Sequence, residues 1–197
     1  MKSKTTTHPI LLILLTAATL STHAASQDVT PLSELPARIA AAQPHPRLLM
    51  NTATAATLRE RIQTDDTSKA IFALIRERAD NLLGKDPMAY HKEGKRLLSV
   101  SREVLERVLD TALVYRLTDA PEYATRAVKE MEAVAAFSDW NPSHFLDVAE
   151  MTTALAIGYD WLLPTLTATQ EETIRTAILE KGIASSFDGI RTWVHGD

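Results

Sequence analysis

The chain has 197 residues, 45% hydrophobic, 23% charged and 6% aromatic, with no cysteine, a composition that describes one soluble globular domain or part of a larger one. Without cysteine there is no disulfide framework, thiol nucleophile, Cys-ligated zinc or lipid-modified N-terminal Cys, so its chemistry must rest on oxygen and imidazole groups. Lys and Arg number 21 against 25 Asp and Glu, a net charge of −4, which argues against a general nucleic-acid binder because such proteins carry a basic surplus.

The N-terminus pairs Lys2 and Lys4 with an apolar run over 10–20 and the small residues Thr22, Ala24 and Ala25, the three-part pattern of a secretory signal peptide. The run is shorter than the roughly 20 apolar residues needed to span a bilayer. Residues 1–24 are therefore expected to be a leader cleaved after Ala24 or Ala25, giving a periplasmic or secreted protein without a membrane span. Losing both lysines takes the formal charge from −4 to −6.

Residues 25–50 are rich in proline (Pro31, Pro36, Pro44, Pro46) and read as a lead-in strap lying on a following domain. From 51 onward the pattern is helical. Helices are expected over 55–62 and 69–83, with Gly84 and Pro87 ending the second. In the loop beyond, Tyr90 and His91 suit either stacking on a sugar ring or packing on a helix. Over 100–117, Val100, Val104, Val108 and Ala112 stand four apart, with Leu105, Leu109 and Leu113 widening the stripe into the buried face of an amphipathic helix. Asp119, three residues before Glu122, with Pro121 between them, predicts a capped start to a helix ending at Phe137.

Asn141 followed by Pro142 predicts the next helix start, and Pro164 its end. Thr167 with Gln170 predicts a capping box opening a last helix to Ile183. The result is all-α: two helical hairpins of the kind that build α-solenoids and α/α toroids, each needing neighbours to bury its second face. The chain stops at Asp197 without a closing cap, so 51–197 are expected to be the N-terminal part of a larger helical domain.

The densest polar segment runs over 139–150. With Asn141 at the cap, His144 lies in the first helical turn, where the helix dipole disfavours imidazolium. There it suits a carboxylate or hydroxyl, or it is a structural capping residue with Trp140 as the hydrophobic staple. Asp147 either orients His144 or caps the turn. A metal set of His144, Asp147 and Glu150 is disfavoured, since the three fan across a wide arc and lack a second His. Arg96 and Arg102 bracket a helix start, where a cation calls for an anion nearby; a uronate carboxylate suits a guanidinium fork, and so does a surface acid such as Glu103 or Glu106. Gly158 is expected to allow close helix approach, with Tyr159, Asp160 and Trp161 as interhelical packing. No metal, cofactor or nucleic-acid site is expected.

Three blocks, HPRLLM at 45–50, GKRLLSVSREVLERVLDTALVYRLT at 94–118 and DWNPSHFLDVAEMTTALAIGYDWLL at 139–163, together resemble the N-terminal region of the heparinase II/III-like polysaccharide lyases. That resemblance implies an incomplete (α/α) toroid followed by a β-sandwich. It further implies an acidic polysaccharide in the cleft between them, cut by β-elimination at a uronate. The donor at the carboxylate and the catalytic base and acid are expected beyond Asp197, so the chain alone is expected to be inactive. Trp140, Asn141, His144, Arg96 and Arg102 match blocks at the cleft end of the toroid and, with Tyr90, are the candidate substrate-binding residues. Two other readings are an α/α-toroid glycoside hydrolase, with Asp139, Asp147 and Glu150 available as paired carboxylates, and a non-catalytic periplasmic helical-repeat binding protein.

Overall fold

The computed structural model describes residues 44–185 together with Glu34, Ala37, Arg38, Ala41, Ala42 and Phe187. The leader reading of 1–24 lies outside these residues, as does most of 25–43. The chain divides into two units, Met1–Ala42 and Gln43–Asp197. In the first, Ala41 N–H donates to the Ala37 carbonyl at 3.0 Å. The second carries the helical bundle. Regular structure among its described residues is helical, apart from an isolated antiparallel bridge between Glu93 and Arg96. None of these helices is long and apolar enough to cross a membrane.

Helices α1 (Thr52–Thr64) and α2 (Asp66–Asp80) begin earlier than their apolar periodicity. Side-chain caps start them: Asn51 Oδ1 accepts from Thr54 N–H at 2.9 Å and Asp65 Oδ2 from Ser68 N–H at 2.7 Å. Asp65 also closes α1, since its own N–H donates to the Arg61 carbonyl at 2.8 Å. Satisfying an orphan N–H fixes a helix start where apolar spacing is silent.

Helix α3 (Leu98–Thr118) buries the expected stripe, with Val104, Val108 and Ala112 at 0% exposure. Helix α4 (Pro121–Ala135) has Pro121 in its first turn, but Asp119 is not its cap. Asp119 is left-handed (φ 59°) and closes α3, its N–H donating to the Tyr115 carbonyl at 2.7 Å. Its carboxylate accepts from Arg59 Nη2 at 2.7 Å. A two-residue reversal needs one left-handed residue, which Asp tolerates, so the N-cap passes to Ala120, which makes no side-chain cap bond.

Helix α5 (Phe145–Leu162) starts after a turn rather than at Pro142. Asn141 is left-handed (φ 59°), and its carbonyl accepts from His144 N–H at 2.9 Å. The expected Asn141 cap fails because its side chain is drawn into the core, which leaves His144 as the N-cap residue without a side-chain cap bond. At the far end, the 3₁₀ turn Leu163–Thr165 contains Pro164. Thr167 and Gln170 then form the expected reciprocal capping box of α6 (Ala168–Ala177), which continues as a π-helical segment, Ile178–Ala184.

Helix α3 packs chiefly on α5 and α4, while α4 meets α6, so the two hairpins stack. The α3 and α5 N-termini lie at the same end: Leu97 N–H reaches Asp147, and Arg102 reaches Glu150. Gly158 sits at the crossing, where an added Cβ would lie 2.4 Å from Met131 Sδ and 2.7 Å from Val108 Cγ1. Lys181 Nζ donates to the Ala135 carbonyl at 2.5 Å and to that of Phe137, closing the α4 C-terminus with a cation. Fully buried Glu130 accepts from Arg126 Nη2 at 2.6 Å and Met88 N–H at 2.8 Å. This pins the loop leading to α3 against α4.

The part of the strap over 44–50 docks on the end of α5. Buried Asp160 lies 2.5 Å from His45 Nδ1 and accepts from the N–H groups of Arg47 and Leu48, both at 2.8 Å. Trp161 Nε1 donates to the Leu48 carbonyl at 2.8 Å.

Two substitutions test this packing. Gly158→Ala should destabilise the chain by about 1–3 kcal/mol through overpacking, read from the urea midpoint. Asp160→Ala strands two backbone donors, each costing about 1–3 kcal/mol when buried. It should lower amide-exchange protection at Arg47 and Leu48 far more than at Leu97.

Candidate functional site

One buried carboxylate organises the end of the bundle where α3 and α5 begin. Asp147, at 0% exposure, lies in the first turn of α5. Its Oδ2 accepts from Leu97 N–H at 2.7 Å, at the start of α3, and from Asn141 Nδ2 at 2.6 Å, in the turn before α5. Its Oδ1 lies 2.7 Å from His144 Nδ1. Burial pushes the Asp147 carboxyl up. The hydrogen bonds of Asn141, His144 and Leu97, together with attraction to His144, outweigh it and hold the group below its ordinary value, as a multiply bonded carboxylate should be.

Around Asp147 the candidate residues converge. Asn141 Nδ2 also donates to the Lys95 carbonyl at 2.9 Å, which draws in the 93–96 turn carrying Arg96. Asp139 Oδ1 accepts from Tyr90 O–H at 2.9 Å and from Asn141 N–H at 2.8 Å, which brings in the preceding loop. Arg102 Nε donates to Glu150 Oε1 at 3.1 Å, one turn further along both helices. Chain segments around 90, 96, 102 and 141–150 thus meet at one end of the bundle.

Convergence does not make them equivalent. Trp140 is at 0% exposure, its Nε1 donating to the Val134 carbonyl at 3.0 Å, so it packs in the core rather than lining the surface. Asn141 is likewise buried, at 1% exposure; its Nδ2 serves two acceptors and its Oδ1 accepts from Ser143 Oγ at 2.9 Å. A buried, fully bonded amide fixes its neighbours and has nothing left to offer. Tyr90 is partly exposed, but its hydroxyl is committed to Asp139, its ring meets Phe137 edge-on and Lys92 Nζ lies 5.7 Å from the ring centroid. Arg102 is exposed and paired with Glu150.

Two groups keep unspent capacity. Arg96 is exposed, and its guanidinium has no partner among the described residues. The His144 side chain is 29% exposed, its Nδ1 engaged by Asp147 while Nε2 makes no hydrogen bond among the described residues. Phe145 and Leu146, which follow His144, expose their apolar side chains, and the backbone on either side of Arg96 is tied to the same end of the bundle through the Lys95 carbonyl and Leu97 N–H. No group of three or more His, Asp or Glu residues among the described residues is placed to hold a metal ion.

Sequence reasoning overlooked the backbone partner of Asp147, Leu97 N–H, that of Asn141, the Lys95 carbonyl, and the strap-holding role of Asp160. The signal for Asp160 was present: an acid between Tyr159 and Trp161 in an otherwise apolar stretch has to be partnered if buried. No protein-family model and no curated protein matches the chain.

The depressed Asp147 carboxyl has a definite sign. Its stabilising contribution is complete above the ordinary aspartate value and is lost as pH falls through the lower folded value. The difference in unfolding free energy between the wild type and Asp147→Asn should therefore be largest near neutral pH and shrink in acid, as denaturant titrations across that range will show.

Proposed function

We propose that this chain is the N-terminal, α-helical part of an exported polysaccharide lyase that cleaves uronate-containing acidic polysaccharide, of the heparin, heparan or alginate type, by β-elimination. In this reading the stacked hairpins α3–α4 and α5–α6 are part of an incomplete (α/α) toroid, an architecture built by repeating such units. The leader-like 1–24 would direct the protein to the periplasm or beyond. The observation that carries the proposal is the Asp147 junction. It joins two of the three segments with which the chain resembles the heparinase II/III-like lyases, those over 94–118 and 139–163, and it leaves a guanidinium and an imidazole nitrogen unspent at the same end of the bundle.

β-Elimination requires neutralisation of the uronate carboxylate, removal of the C5 proton and departure of the 4-linked sugar. Donors at the carboxylate stabilise the developing enolate, and a separate group transfers the proton. Arg96 and His144 suit the holding of an anionic sugar. No catalytic base is assigned among the residues of this chain. The net charge of −6 left after loss of Lys2 and Lys4 from the −4 of the whole chain is compatible with a polyanion because Lys92, Lys95, Arg96 and Arg102 against Glu93 make the stretch over 90–102 locally basic, and a local field guides an approaching ligand.

Expressing the complete open reading frame with heparin, heparan, hyaluronan and alginate, and following absorbance of the unsaturated uronate product, tests this directly. Growth of the chromophore is expected on at least one of them. His144→Ala should lower kcat/KM by roughly tenfold, the effect of losing one substrate hydrogen bond. A folded protein that produces no chromophore on any of the four refutes the proposal: hydrolysis would instead indicate a glycoside hydrolase, and binding without turnover a helical-repeat binding protein.

A further inference from the structure

The two unspent groups of the junction differ in hydrogen-bonding sense, and Asp147 is the reason. Asp147 Oδ2 already accepts two N–H bonds, from Leu97 and Asn141. A carboxylate so placed is held ionised, and an ionised carboxylate only accepts. The contact at 2.7 Å between Asp147 Oδ1 and His144 Nδ1 must therefore carry its proton on Nδ1. In the neutral ring Nε2 is then the lone-pair nitrogen. Arg96 has the opposite sense, because a guanidinium donates and never accepts. It stands between Lys95 and Leu97, both tied into the same cluster through the Lys95 carbonyl and Leu97 N–H.

We infer that Asp147 is a positioning residue that locks His144 as a hydrogen-bond acceptor, so that the junction divides an acidic sugar between two groups: a hydroxyl donates to His144 Nε2, and the carboxylate is taken by Arg96. This assignment rests on the lyase reading for its ligand, but the tautomer stands on the geometry of the chain alone. A neutral imidazole with its lone pair outward repels a carboxylate and welcomes an O–H, whereas a planar fork of N–H donors matches two carboxylate oxygens.

Asp147→Asn provides a discriminating variant. Its amide oxygen has to remain with the two N–H donors of Leu97 and Asn141, which turns the new NH₂ toward His144 Nδ1. That nitrogen must then accept, which moves the ring proton to Nε2 and makes His144 a donor. A merely structural Asp147 would lose stability in this variant without reversing the ring.

The experiment is long-range ¹⁵N–¹H correlation spectroscopy on the full mature chain with neutral imidazoles, followed by titration with a uronate oligosaccharide and its carboxyl-reduced counterpart. The wild type should show His144 protonated at Nδ1 and bare at Nε2, and Asp147→Asn should show the reverse. His144→Ala should weaken oligosaccharide binding about tenfold, as expected for one hydrogen bond lost; Asp147→Asn, in which the sugar hydroxyl can still accept from Nε2–H, should weaken it less, and should add no loss to His144→Ala. Carboxyl reduction should abolish the effect of Arg96→Ala and preserve that of His144→Ala. A wild-type ring protonated at Nε2 overturns the positioning role while leaving the lyase reading standing. A correct tautomer with no oligosaccharide binding overturns the ligand assignment and counts against the lyase reading. If carboxyl reduction abolishes the effect of His144→Ala instead, the division between the two groups is wrong.

Discussion

A carboxylate buried at the meeting of two helix starts has to be compensated completely, and much of this structure follows from how Asp147 meets that demand. Removing an anion from water costs several kcal/mol, which attraction and hydrogen bonds must offset. Asp147 obtains its donors from three separate places: the first residue of the α3 approach, the turn before α5, and the imidazole one helical turn back. Each donor is thereby fixed relative to the others. The N-termini of α3 and α5 are held side by side, the 93–96 turn is drawn against Asn141, and the His144 ring is left one orientation. The fold and the candidate site share this one constraint.

Helix α5 repeats the device at its other end. Asp160 is also buried, also faces a histidine Nδ1 and also accepts two N–H bonds, here from Arg47 and Leu48 of the strap. The two aspartates divide the work along one helix, one joining helix starts and the other anchoring the chain that leads into the domain. The apolar surface between them supplies the burial, with Val148, Met151, Ala154 and Leu155 packed into the common core. Gly158 lets α5 approach Val108 and Met131 at a distance no side chain would permit. Away from these ends, Glu130 again ties a loop to a helix, accepting from Met88 N–H and Arg126 with Arg107 3.7 Å away, while buried Asp110 joins α3 to α2 through the guanidinium of Arg78.

The candidate site narrowed as its residues acquired neighbours. Six positions share one end of the bundle, and the end itself was legible because the polar blocks around 96 and 141–147 stand out against apolar stripes. Which of them face outward was not. Trp140 and Asn141 carry the polar signature of ligand-facing residues, yet both direct their hydrogen-bonding groups inward, to Val134, Lys95 and Asp147. Arg102 and Tyr90 reach the surface already engaged by Glu150 and Asp139. Arg96 and His144 Nε2 make no hydrogen bond among the described residues, the first carried on the exposed 93–96 turn and the second turned from Asp147 by the engagement of Nδ1.

The amino-acid sequence by itself determined the helical class, the stripe of α3, the stop at Pro164, the capping box of Thr167 and Gln170, and the close approach at Gly158. All of these depend on residues within a few positions of one another, where periodicity and local hydrogen bonding act alone. Tertiary structure decided the starts of α4 and α5 and the partners of Asp147 and Asp160. Asp119 and Asn141 look locally like helix caps, but a distant arginine engages the first and a buried carboxylate and carbonyl draw in the second. A side chain has a limited set of hydrogen bonds to give, and a partner brought close by packing competes on equal terms with the backbone beside it.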